Sequence, residues 1–413
     1  NVTIFPRQLF RESFSLAGDD IVQLLAREVV VTALSRTVEQ SIGRERAEAL
    51  TQELFGGNRG DMSAEEQLRR QQFAMQIAAP VAVALLGEYE GYDPIDPPPV
   101  EIRKIGAFFR PDAPPPPGLV QSLERTVAEA GAADFRLMEV PIPVDLVDVD
   151  RIVRSLTGDM VRALAEVVWH YRADVMLLSG RPSRFPAIKD SILETGALPA
   201  HRVIAMHEFR VGQWYPFRNR EARISDPKTT AAVGGMICLL AEGHLHNFNF
   251  RSDDLYARSV ARFVGKVEAG NSNNRLQAQD VYLSDLDFET IEDLPEAKFE
   301  FRGPLLLGVR QFPNQWWPAS LLYMIDFADE EARTRAMRRT PLRVQLKLES
   351  TRRPRGRPNE PQEKVVNDRL AIGEVEDSEG SVLSGRQQPL RMRLQTLRNR
   401  DGYWLDTGIL IDV

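Results

Sequence analysis

Three patterns of apolar and polar positions divide the chain. The first is helical. Ile21, Leu24, Leu25, Val29 and Ala33 recur at helix spacing and predict a helix running to about Ser41, with Gly18 as the preceding turn and Asp19 or Asp20 as its cap. Ser63 and Glu66 have the spacing of a capping box, ahead of a helix through Leu68, Phe73 and Ile77 that Pro80 should kink or divide. Val149, Ile152, Val153, Leu156, Met160, Leu164, Val167, Val168 and Tyr171 mark one face of a long third helix.

The second pattern is a short apolar run, Val175 to Leu178, which reads as a strand buried on both faces. Ser179 and Gly180 end it. Pro186 suits the first turn of a helix through Ile188 and Ile192, and Gly196 suits its close. Arg202 to Met206 reads as a further strand, and Asp226-Pro227 opens a helix to Glu242 that is apolar nearly all round and therefore predicted buried. Gly234 and Gly235 inside that helix each cost about 1 kcal/mol relative to alanine, which points to another backbone or a ligand coming close there, close packing being the commoner reason.

The third pattern is β-like. Val2 to Leu16 reads as extended, with Phe10, Phe14 and Leu16 on one face. After Phe250, runs at 298–302, 305–312, 321–327, 342–348, 390–397 and 403–411 predict an antiparallel β domain or sandwich, with 351–362 as a mobile loop. Pro94–Pro99 and Pro111–Pro117 read as extended surface spacers framing a short strand at Val100–Ile102.

Composition narrows the classes. The 413 residues can bury more than one core, and a net charge of −7 argues against a general polyanion binder such as a nucleic-acid protein. The lone cysteine, Cys238, excludes an internal disulfide and a thiolate metal cluster, and its apolar setting suggests an inert buried thiol. No run has the length of a membrane-spanning helix. The loop Gly56–Gly60 lacks a preceding strand and a P-loop lysine, so it is not a phosphate cradle. His244 and His246 with Asp253 or Asp254 are a poor metal set, with no third ligand at a suitable spacing.

Asp174-Val-Met-Leu-Leu-Ser-Gly-Arg-Pro-Ser-Arg-Phe-Pro186 resembles the adenosine motif of the actin, sugar-kinase and DnaK-type chaperone ATPases, with one extra residue in the turn and serine for one glycine. Leu16-Ala-Gly-Asp-Asp-Ile21 and Asp226-Pro-Lys-Thr-Thr-Ala-Ala-Val-Gly-Gly235 are similar to two flanking segments of that superfamily, in the same order. Trp214-Tyr-Pro-Phe217, followed by Ile224-Ser-Asp-Pro-Lys-Thr-Thr230 and taken with Leu178–Arg184, further resembles the bacterial virulence-factor SrfB family.

These resemblances imply an α/β chain: the second lobe of an actin-like (ribonuclease H-like) ATPase fold with an inserted lobe, followed by a β-rich C-terminal domain. The lobe would take residues 1–42 and 140–250, the inserted subdomain 43–139, and the β domain 251–413. They imply an adenosine half-site at Gly180, Arg181, Ser183 and Arg184, with the Arg184 guanidinium stacking on adenine and Gly18 near the sugar or phosphates. Glu66 and Arg69, one turn apart, match a chaperone pattern that touches ribose; a plain helix ion pair is the bland reading. ATP or ADP with Mg2+ is the implied cofactor. The superfamily's phosphate-holding hairpins precede the segment matched here, so an N-terminal lobe of the same protein is an implied partner, alongside protein partners. This chain alone is expected not to turn over ATP, and its compartment is left open between the cytoplasm, which is favoured, and secretion. The alternative is a non-catalytic interaction module on the same scaffold.

Overall fold

The computed structural model describes residues 2–10, 16–57, 62–241, 243–251, 261–267, 275–287, 294–295, 297–315, 317, 319–353, 364–395 and 403–411. The chain divides into two compact units, and each takes one segment from either end. One unit comprises Asn1–Ser15 with Ala232–Arg398, and the other Leu16–Ala231 with Asn399–Val413. The first strand, β1 (Val2–Ile4), belongs to the former.

The unit built on Leu16–Ala231 is mainly helical. Helix α1 (Gly18–Leu25) passes through a π-helical stretch, Ala26–Val31, into α2 (Thr32–Ile42) without a break. The expected caps act differently from the prediction. Ala17 is the N-cap, and the Asp20 carboxylate reaches back from the first turn to accept the Ala17 N–H at 2.5 Å. α3 (Arg44–Phe55) follows. α4 (Ala64–Phe73), a second π stretch (Ala74–Ala78) and α5 (Ala79–Tyr89) form another unbroken run. Pro80 neither divides it nor stops it. Proline has no N–H to give the preceding turn, and the wide turn sits where that bond would be missing. The two π stretches pack against each other.

β2 (Glu101–Lys104) pairs antiparallel with β3 (Pro141–Val144), and α6 (Pro117–Glu129) lies between them in sequence. α7 (Leu146–His170) is capped by Asp145, whose carboxylate accepts the N–H groups of Val147 and Asp148. β4 (Met176–Leu178) leads into α8 (Pro186–Glu194), and β5 (Val203–Ala205) pairs parallel with β4. One apolar cluster joins these elements, from Ile21 and Val30 through Phe73, Leu85, Leu123 and Ile142 to Val153, Ile188 and Val203. Residues 43–139 thus share the core of their neighbours instead of forming an inserted subdomain with a core of its own.

Residues 403–411 also depart from the prediction. They form a short helix, Trp404–Thr407, and a segment that buries Trp404, Ile409 and Leu410 in the helical unit. Arg70 anchors this tail: its buried guanidinium donates to the carbonyls of Thr407 (2.9 Å) and Gly56 (2.7 Å). The N–H groups of Leu410 and Ile411 both reach the Phe55 carbonyl, and the Tyr403 hydroxyl donates to Asp19 at 2.7 Å. The alternation of 403–411 read as a strand, yet Gly408 at φ +71° and close contact with α4 make it a cap and plug.

Two expectations about apolar runs fail. β4 is not buried on both faces: Leu178 is buried, but Val175 and Leu177 face water, Leu177 at 62% exposure. Among the described residues its sheet has two strands, so only the side toward α8 is covered. α9 (Thr229–Leu240) is equally uncovered. Val233 is buried, whereas Met236, Leu239 and Leu240 are exposed and Cys238 is half-buried. Nothing lies within 4 Å of where a Cβ would stand on Gly234 or Gly235, so close packing does not explain them.

The other unit is a β structure. β1 pairs parallel with β6 (Phe248–Phe250). β7 (Phe263–Val267), β8 (Val281–Leu283), β10 (Leu305–Arg310), β11 (Ser320–Phe327) and β14 (Leu390–Leu394) form an antiparallel sheet in the order β14-β11-β10-β7-β8. β9 (Lys298–Phe301), β12 (Leu342–Arg353) and β13 (Lys364–Glu376) form a second sheet, and α10 (Glu330–Met337) joins β11 to β12. Leu305, Leu307 and Ile325 of the first sheet share one cluster with Phe301, Leu342 and Val344 of the second, which makes a sandwich. Leu306, Leu321 and Met324 pack on the opposite face with Phe263 and Leu276. The unbroken Leu305-Leu306-Leu307 run is explained by this: alternate residues enter different cores. Phe14, most of 351–362, Asp253 and Asp254 lie outside the described residues.

Candidate functional site

The turn after β4 is built from its own residues upward. Gly180 adopts φ +82°, ψ 162°, a region side chains rarely enter, and so redirects the chain sharply. Arg181–Arg184 is a single 3-10 turn. Ser183 is buried and closes that turn twice, its N–H (3.1 Å) and its hydroxyl (2.7 Å) both donating to the Gly180 carbonyl. Pro186 then starts α8, whose first N–H, that of Ala187, donates to the Tyr89 hydroxyl at 3.0 Å.

Three distant segments meet here. A Cβ on Gly18 would lie 3.3 Å from the Pro182 ring, so the start of α1 abuts the turn. The Ser179 hydroxyl lies 2.5 Å from that of Thr230 and donates to the Pro227 carbonyl at 3.1 Å. Arg184 donates to the Ser225 carbonyl at 3.0 Å. Tyr215, buried in the aromatic loop, shares a 2.7 Å hydroxyl contact with Thr229.

The end of α5 supplies what the sequence did not announce. Glu90, its side chain 15% exposed, bridges both arginines: Oε2 is 2.7 Å from Arg184 Nε, and Oε1 is 3.5 Å from Arg181. Next to it, Tyr89 donates to Asp150 at 2.5 Å, and Asp150 pairs with Arg154 at 2.7 Å. Burial, and then the hydrogen bond to Asp150, push the Tyr89 phenol far above the usual tyrosine range. It therefore remains a neutral strut. Glu88-Tyr89-Glu90 reads in sequence as an ordinary polar helix end, with no spacing cue toward Arg181 or Arg184.

Glu66 and Arg69 stand elsewhere. Glu66 completes the capping box with Ser63, accepting the Ser63 N–H at 2.7 Å while its own N–H donates to the Ser63 hydroxyl. Arg69 donates to the Thr126 hydroxyl at 2.8 Å. Both lie at the start of the run that ends at Glu90, on the order of 35 Å away at 1.5 Å per residue. The structure brings Gly18, Gly180, Arg181, Ser183 and Arg184 together and leaves Glu66 and Arg69 out, as a cap and a helix-helix contact.

The residues that meet at this turn include the stretches quoted above for the virulence-factor resemblance. The family model "Virulence factor SrfB" matches residues 1–411. The chain belongs to the SrfB family. A comparison with curated proteins gave no match. No helix of the described residues is long and apolar enough to cross a membrane, and among them no group of three His, Cys, Asp or Glu side chains is placed to hold a metal ion.

Proposed function

We propose that this SrfB-family chain carries the adenosine side of an adenine-nucleotide site at the Gly180–Arg184 turn. What supports the reading is the convergence of two sequence-distant segments on one turn: Gly18 against Pro182, and the stretch 225–230, with Thr230 against Ser179 and Ser225 against Arg184. Gly180, where only the Pro182 ring edge comes within 4 Å of a Cβ, would let a flat ligand approach the backbone. Glu90 and the Ser225 carbonyl hold the Arg184 guanidinium by its edge, so its planar face is available for stacking. ATP or ADP with Mg2+ is the proposed cofactor, with phosphate and magnesium contacts supplied by groups outside this chain. The actin-like ATPase scaffold is part of the same proposal. A half-site open on one side should bind weakly, at about 4–5.5 kcal/mol.

Calorimetry with ADP and with AMP, alongside Arg184→Ala, tests it. Weak binding of both nucleotides, lost in the variant, is the expected result. No heat with ADP at about 5 mM would remove the reading. An interaction module without nucleotide chemistry is the second reading. The exposed apolar surface of α9, at Met236, Leu239 and Leu240, favours it.

A further inference from the structure

We propose that a groove of about 730 Å³ between the C-terminal half of α7 and the end of α8 binds a peptide segment through a lysine side chain. Its size is within the range of small-ligand sites. Gly158 and Gly196 shape it, because neither has anything within 4 Å of where a Cβ would stand. Trp169 lines the groove and is 75% exposed, a large apolar surface left in water.

The charges say what would cover it. Arg162 lines the groove, but its guanidinium is paired with Asp159. Glu194 is paired with Arg154 at 3.0 Å. Glu166 has no ion-pair partner among the described residues. It precedes Trp169 by three positions, so carboxylate and indole are neighbours on one helix face. A carboxylate beside an indole face suits an ammonium ion, which gains both an ion pair and a cation-π contact. The buried Val161 and Ala165 offer an apolar wall for the methylene stem.

The probe is the peptide acetyl-Ala-Leu-Lys-Leu-Ala-amide, titrated by calorimetry into the whole chain beside its norleucine analogue and cadaverine. The lysine peptide should bind at least about tenfold tighter than the norleucine analogue and than cadaverine. Glu166→Gln and Trp169→Ala should each weaken it about five- to tenfold, with the far-UV circular dichroism unchanged. Equal binding of the norleucine peptide would overturn the ammonium assignment. Cadaverine binding as tightly as the peptide would overturn the peptide source. Absence of binding, or unchanged affinity in both variants, would overturn the site.

Discussion

Replacing Gly408 by alanine isolates how firmly the 403–411 segment is seated. Gly408 has φ +71°, and a Cβ there would lie 2.5 Å from the carbonyl carbon of Arg70 and the nitrogen of Gln71. Those are backbone atoms of α4 and cannot rotate away. Gly196 is the matched control: its φ is +66°, but a Cβ would meet nothing within 4 Å. Gly196→Ala should therefore cost only the left-handed strain, about 1–2 kcal/mol. Gly408→Ala should add overpacking of about 1–3 kcal/mol, for a total near 2–5 kcal/mol. Burial of Trp404, Ile409 and Leu410 contributes roughly 5–9 kcal/mol before the cost of ordering them, so undocking of the tail is the accessible way to relieve the strain. Amide hydrogen exchange at 403–411 is the assay, with urea denaturation of both variants beside it. Protection there should fall at least about thirtyfold in Gly408→Ala and stay near wild type in Gly196→Ala. Equal protection in the two variants would refute the steric argument.

Arg70→Met should cost about 2–5 kcal/mol by urea denaturation, because the carbonyls of Thr407 and Gly56 each lose a buried donor. Burial holds the His207 imidazole below its ordinary pKa, so the unfolded chain binds its proton first as pH falls. The urea midpoint should accordingly drop as pH is lowered through about 6.5, and His207→Asn should flatten that dependence. Glu90→Gln should loosen the Gly180 turn, read as faster amide exchange at 180–186, because Arg181 and Arg184 then share no carboxylate. Leu177→Asp should change stability by less than about 0.5 kcal/mol, since its side chain already faces water.

Local chemistry was the legible part of this chain. The Ser63–Glu66 box, the helix face from Val149 to Tyr171, the Gly180 turn and the alternation at Leu342–Leu348 are set by residues within a few positions of one another. What the sequence could not show was which apolar run meets which. Leu177 and Leu239 look like core residues because hydrophobicity says a side chain favours burial, not that a partner surface reaches it. Tyr403–Ile411 alternates like a strand, but Gly408 and the docking against Arg70 decided its shape. At the candidate site, Gly180 and Arg184 were readable from spacing and resemblance. Glu90, almost a hundred residues earlier, holds them and carried no local signal. Glu66 and Arg69 illustrate the converse: a helix pair at the right spacing, taken up by a cap and by Thr126.

The return of residues 403–411 to the helical unit also has a timetable. Its slot against Phe55 and Arg70 is complete once residue 231 has been made, but the segment that fills it comes about 170 residues later. At ~5–20 residues per second, the ribosome takes on the order of ten to thirty seconds to deliver it. During that interval the Phe55 carbonyl, and the apolar surface that Trp404 and Leu410 will cover, face water while the β strands are still emerging. Chaperone capture of the nascent chain should therefore be strongest in that window and end as the tail docks.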